Sequence, residues 1–143
     1  MAQAGLAQAT CRPCPPALVV DSFSSSLLDQ AFVCQVVFLE GSLMVVVCLG
    51  QAAPRFDNLN VGMLTRFTPD AVVTSVIGDS EEGYGMAKRL SKRLGQPVFV
   101  SCNLEGAESP EQLSAFIEKK LCDWIAGKTA AAAAASAAPT EPE

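Results

Sequence analysis

The side chains equipped for chemistry in this sequence are six cysteines, fifteen carboxylates and ten lysines and arginines, and there is no histidine. Without an imidazole, Ser-His and Cys-His nucleophile systems and His-based metal sites are excluded together. The carboxylates fall singly on helix faces and in turns, not as the converging pair that acid–base work requires. Cys11-x-x-Cys14 has the spacing of a redox or half-zinc motif. It follows no strand, leads into Pro15-Pro16 and has no second cysteine pair to complete a tetrahedral site. Gly83-Tyr84-Gly85 after a strand pattern suggests phosphate binding, yet neither G-x-G-x-x-G nor G-x-x-x-x-G-K-[ST] is present. No catalytic, cofactor or metal residue is therefore assigned, and the chain reads as a binding protein.

The charged group best suited to binding is Lys88, Arg89, Lys92 and Arg93. Four cations in the C-terminal half of one helix are favoured there by the macrodipole, so a merely solvated face is the plain reading. The functional reading is a docking patch for an acidic surface. Val45 and Val47, in the most apolar strand, are assigned to a partner contact on the sheet.

Net charge is -5, which argues against general binding to nucleic acid. The longest apolar runs, such as Leu43 to Leu49, are far short of the ~20 residues of a membrane-spanning helix. The first sixteen residues have neither a basic n-region nor an apolar h-region, so a cytoplasmic address, with the nucleus open to it, is the default. Cys34, Cys48, Cys102 and Cys122 lie within apolar strand or helix patterns and read as reduced, core-type thiols. Composition divides the chain into a disordered leader (1–16), one domain (17–127) and an Ala-rich tail (128–143), disordered or a frayed end of the preceding helix that offers no face to bury.

Within the domain, Ala31 to Leu39 and Ser42 to Leu49 are β-branched runs separated by Glu40-Gly41, a β-hairpin signature. Leu18 to Leu28 reads as a further strand whose period is blurred by serines at 22, 24, 25 and 26. Leu59, Val61 and Met63 alternate with Asn58, Asn60 and Gly62, which favours a half-buried strand over a short helix. Ala71 to Ile77 is the next strand. Asp79 with Glu82 then forms a capping box for a helix from about Ser80 to Leu94, closed by Gly95. Pro97 to Asn103 is a strand. Ser109, Pro110 and Gln112 start a last helix, whose apolar stripe is Leu113, Phe116, Ile117, Leu121, Trp124 and Ile125.

A crossover joining 71–77 to 97–103 through a helix gives parallel strands and the hairpin gives antiparallel ones. The expected fold is α/β (α+β): a mixed, largely antiparallel six-stranded sheet with two helices on one face. Two helices about 10 Å wide cover one face of such a sheet, whose strands lie ~4.8 Å apart. The central strands are apolar at nearly every position, so the second face requires cover from another polypeptide.

From about Ser22 to Ile125 the chain resembles the proteasome assembly chaperone 4 family. The resemblance is carried by Leu43-Met44-Val45-Val46-Val47-Cys48-Leu49-Gly50 followed by Pro54-Arg55-Phe56-Asp57-Asn58-Leu59. Ser75-Val76-Ile77-Gly78-Asp79, Gly85-Met86-Ala87-Lys88-Arg89-Leu90 and Gln96-Pro97-Val98-Phe99-Val100-Ser101-Cys102-Asn103-Leu104 follow in order. It implies a non-enzymatic chaperone that forms a heterodimer with a proteasome assembly chaperone 3-like protein and helps proteasome core-particle α-subunits assemble into a ring. The leader before Ser22 and the tail after Gly127 match nothing in that pattern. Two other readings stay open from the residues: a roadblock- or longin-type adaptor of a trafficking complex, and a small nucleotide-binding module using the Gly78 to Gly85 turn.

Overall fold

A computed structural model describes residues 12–15, 17–50, 53 and 55–136. The strands are β1 (Val19–Leu27), β2 (Gln30–Leu39), β3 (Ser42–Leu49), β4 (Leu59–Met63), β5 (Val72–Ile77) and β6 (Val98–Asn103), with helices α1 (Glu81–Leu94) and α2 (Pro110–Ser136). They form one six-stranded sheet in the order β1-β2-β3-β6-β4-β5. Among the described residues, β3 and β6 alone pair in parallel; the other neighbours are antiparallel. The crossover is present, but β4 lies between its two strands, so β5 and β6 point the same way without touching.

Two hairpins build one half of the sheet. Glu40-Gly41 makes the predicted two-residue turn, with Gly41 at φ 73°. The β1–β2 turn uses Leu28 and Asp29, both at positive φ, as the twist of a two-residue hairpin requires. In β1 the serines that blur the sequence period resolve cleanly. Ser22, Ser24 and Ser26 face outward while Phe23 and Leu27 pack on the core.

Both helices lie on one face, above Phe32, Cys34, Val36, Leu43, Val45, Val47, Val98 and Val100, all fully or almost fully buried. They are seated differently. α2 rides on aromatic rings: Trp124 lies 5.3 Å from Phe23 and 6.1 Å from Phe38, and Phe116 meets Phe32 edge-on at 6.1 Å. By contrast, α1 sits directly on the backbone of β4, where a Cβ added at Gly62 would overlap the Ala87 carbonyl oxygen and approach Ser91 Oγ to 2.8 Å.

That close seat explains an inversion. In β4 it is the polar side, Asn58, Asn60 and Gly62, that is buried toward α1, while Leu59, Val61 and Met63 turn to the opposite face. Three of the four buried amide atoms of Asn58 and Asn60 are bound into the sheet; Asn60 Nδ2 has no partner among the described residues. Asn58 Nδ2 donates to the Cys102 carbonyl at 2.8 Å and its Oδ1 accepts from Cys102 N at 3.0 Å, so one side chain pairs with β6 as a strand residue would. Ser75 Oγ donates to Asn60 Oδ1 at 2.8 Å.

Two helix ends depart from expectation. The N-cap of α1 is Ser80, not Asp79: Ser80 Oγ accepts from Gly83 N at 3.1 Å, and the helix begins at Glu81. The α2 helix runs past the boundary expected at 127 and continues to Ser136. Alanine's high helix propensity supports the run, and Lys128 anchors its root by lying over the Trp124 ring and pairing with Asp21. Most of the predicted leader and residues 137–143 lie outside the described residues.

Gly62→Ala is expected to destabilise the protein by about 1–3 kcal/mol through overpacking against α1. Asn58→Ala strips both buried Cys102 backbone groups of partners, at about 1–3 kcal/mol for each group left unsatisfied. Urea unfolding midpoints measure both, and wild-type values would show that the β4 seat is not under the constraint described.

Candidate functional site

Among the described residues, none covers the side of the sheet away from the helices. At its centre lies a shallow depression of about 600 Å³ lined by Val33, Val37, Met44, Val46, Cys48 and Phe56. The inverted β4 adds Val61 and Met63 to the same face, and edge strand β5 adds Val72 and Val76. Toward the β1 edge the surface becomes polar, with Ser22, Ser24, Ser26 and Gln35. The face is thus apolar from its centre to the β5 edge and mixed toward β1, where Val20 stands among the serines, the combination of apolar and polar surface a protein–protein interface uses.

Spacing sets the size of this face. Six strands at ~4.8 Å separation and ~20 Å length project on the order of 500 Å². That is the upper end of what monomers expose and somewhat below the ~800 Å² that each partner contributes to a standard interface.

The rim has a built wall. Asn103, on β6, accepts from Asp57 N at 3.1 Å and from Asn58 Nδ2 at 3.3 Å, and its own Nδ2 donates to the Val47 carbonyl and to Ser101 Oγ, both at 3.1 Å. These bonds tie residues 55–58 to the sheet. Arg55 is held further by Asp57 and Glu105, each at 3.3 Å. Phe56, 45% exposed, thereby stands beside the depression on a fixed support, as an aromatic interface anchor should. Sequence reading missed this network. Its one legible sign is asparagine at the ends of apolar strand patterns, Asn58 before β4 and Asn103 closing β6.

Val45 and Val47 do not reach this face. Both are 0% exposed beneath the helices, because residues of one strand alternate sides. Their neighbours Met44, Val46 and Cys48 occupy the open side.

The basic residues of α1 separate into two pairs. Arg89 bonds Glu118 of α2 at 2.7 Å, and Arg93 lies on the same side of α1, facing α2. Lys92 bonds Asp70 at 2.9 Å, with Lys88 beside it, and the two lysines hold the Asp70 carboxyl below its ordinary range. The four charges do not converge on one point, and two of them already have carboxylate partners.

The glycines proposed for phosphate binding lie inside the first two turns of α1. Gly83 N is engaged by Ser80, and a Cβ there would come within 2.6 Å of Asn60 Nδ2. These residues admit close packing, and Glu81 and Glu82 beside them repel an anion. Burial pushes the Cys34 and Cys102 thiols up to about 12, so both are protonated, unreactive core groups at neutral pH. Cys11 lies outside the described residues.

Comparison with known proteins adds to this geometry. The sequence model of the family described as "Proteasome assembly chaperone 4" matches residues 31–104. The chain is 34% identical over 110 residues to human proteasome assembly chaperone 4, covering 68% of this chain and 87% of that protein. It is 37% identical over 90 residues to the Mus musculus protein of the same name, covering 62% and 71% respectively. A chain from the "Crystal Structure of a Novel Chaperone Complex for Yeast 20S Proteasome Assembly" superposes with a TM-score of 0.55 at 18% identity, covering 76% of this chain and 96% of that one. At that identity the match establishes the fold: the mixed six-stranded sheet with two helices.

The buried thiols generate a pH prediction. Their native values lie above those of the unfolded chain, so between about pH 9 and 12 the unfolded state holds fewer protons and stability falls as pH rises. In Cys34→Ala with Cys102→Ala, the baseline stability drops, but the alkaline fall becomes shallower by up to about 1.4 kcal/mol per pH unit for each thiol removed. Chemical denaturation from pH 8 to 10.5 measures the slope, and parallel slopes would contradict the assignment.

Proposed function

The chain belongs to the proteasome assembly chaperone 4 family, and from that premise we propose that it is a non-catalytic chaperone for the α-ring of the proteasome core particle. It acts as a heterodimer with a proteasome assembly chaperone 3-like partner, whose sheet covers the open face described above. The observation that carries this reading is the open apolar face with its mixed β1 edge and fixed aromatic wall. Burying Val33, Val37, Met44 and Val46 against a partner removes from water the surface that two helices leave exposed.

The pair works by holding α-subunits in productive neighbourhoods until ring contacts replace it, a role that requires binding and release but no bond chemistry. Its place of action is the cytoplasm, extending to the nucleus. Neither nucleic acid nor membrane is a partner in this reading.

Affinity purification of the tagged chain from its native cells, washed at moderate salt, should recover a chaperone 3-like protein and proteasome α-subunits with few mature proteasomes. Recovery of trafficking complexes instead would move the adaptor reading to the front. Val33→Asp places a charge on an exposed position of the open face, where folding stability changes little, within about 0.5 kcal/mol. Desolvating that charge in an interface should weaken pairing tenfold or more. Unchanged pairing would move the partner surface elsewhere.

A further inference from the structure

The opposite side of the molecule carries a surface that pairing through the sheet leaves free. α1 and α2 run parallel, since each is antiparallel to the strand it packs beside, the acidic starts of both helices lie at one end, and Arg89 meets Glu118 further along. Between them lies an open groove of about 570 Å³ whose lining includes the small residues Gly85, Ser114 and Ala115. Ser114 and Ala115 keep the α2 wall low, while the Arg89 guanidinium lies over Gly85, 2.9 Å from where a Cβ would stand.

Charge is segregated along this groove. Glu81, Glu82 and Glu111 line its N-terminal end, and Arg89, Arg93 and Lys119 its C-terminal end. The carboxylate within the basic half, Glu118, is 13% exposed and is taken up by Arg89. From Glu82 to Arg93 the groove runs about 16 Å at 1.5 Å per residue, or three helical turns. The segregation suits the dipoles of α1 and α2 themselves, but two parallel helices with both N-termini at one end add it into a single field across the groove.

One kind of ligand answers such a field at both ends. A helix lying antiparallel to α1 and α2, acidic in its first turn and basic in its last as helices commonly are, meets opposite charge at each end. We propose that this groove seats about three turns of a helix from a proteasome α-subunit, antiparallel to α1 and α2. The inference rests on the chaperone reading above and gives that reading a client surface separate from the pairing surface. A second copy of this chain is disfavoured as occupant, because two molecules of net charge -5 repel. A contact dominated by rim charge also suits a chaperone that must leave, being fast to form and weakened by salt.

The test uses the full chain with its chaperone partner, mixed with each recombinant proteasome α-subunit in turn. Glu82→Lys with Glu111→Lys reverses one end of the groove, and Arg93→Glu with Lys119→Glu the other. Each double variant, checked for an unchanged melting temperature, should lose tenfold or more in α-subunit affinity while pairing with the chaperone partner is unaltered. The wild-type affinity should also fall more steeply between 50 and 300 mM salt, about the range over which screening tightens, than that of either variant. If the wild-type pair captures an α-subunit and both reversals capture it equally, the groove is not its seat and the chaperone reading stands. If the wild-type pair captures none, the reading on which the inference rests fails with it. Self-association of the wild-type chain in sedimentation, abolished by the reversals, would make a second copy the occupant and overturn the proposal.

Discussion

The seam between β6 and β4 is the constraint on which the rest of this structure depends. It joins two halves of the sheet through three residue pairs, Asn60 to Gly62 against Val98 to Val100. A seam so short needs support on both sides. The Asn58 side chain lengthens it by pairing with Cys102, and α1 clamps it by lying against the Gly62 backbone. Both devices require the small or polar residues of β4 to face the helix. The apolar residues of that strand are thereby sent to the other side, so the arrangement that secures the fold also enlarges the apolar surface it leaves uncovered.

Helix coverage then separates the molecule into two working surfaces. One face of the sheet is closed by α1 and α2, and what remains there for a partner is charge on the helix exteriors. The other face is open and largely apolar, with its outer boundary shaped by residues tied to Asn103. Apolar surface and surface charge therefore reside on opposite sides. Such a division suits a protein that keeps one partner while exchanging another. The thiols, the tight glycines and the capped helix start serve packing in this account.

Much of the fold is legible in the sequence. Hydrophobic period and turn residues located six strands and two helices, and Gly41, Gly95 and Pro110 marked their ends as expected. The departures have local causes. Ser80 displaced Asp79 as cap because its hydroxyl is the one that reaches Gly83 N, and the alanine run extended α2 because helix propensity sustains a run rooted by Lys128.

The sequence by itself determined the element types, the absence of imidazole chemistry and the mismatch between two helices and a sheet with two apolar faces, because period, composition and element count are local quantities. Which side of each strand meets the helices was decided only in the tertiary structure. In β3 every position is apolar except Ser42, so alternation carried no preference between Val45 and Val46, and in β4 the usual rule of apolar inside was overturned by a backbone contact with α1. Likewise the four cations of α1 looked like one patch along the chain, and only the positions of Asp70 and Glu118 divided them. Sidedness and charge pairing depend on neighbours distant in sequence, and those neighbours exist only once the chain has folded.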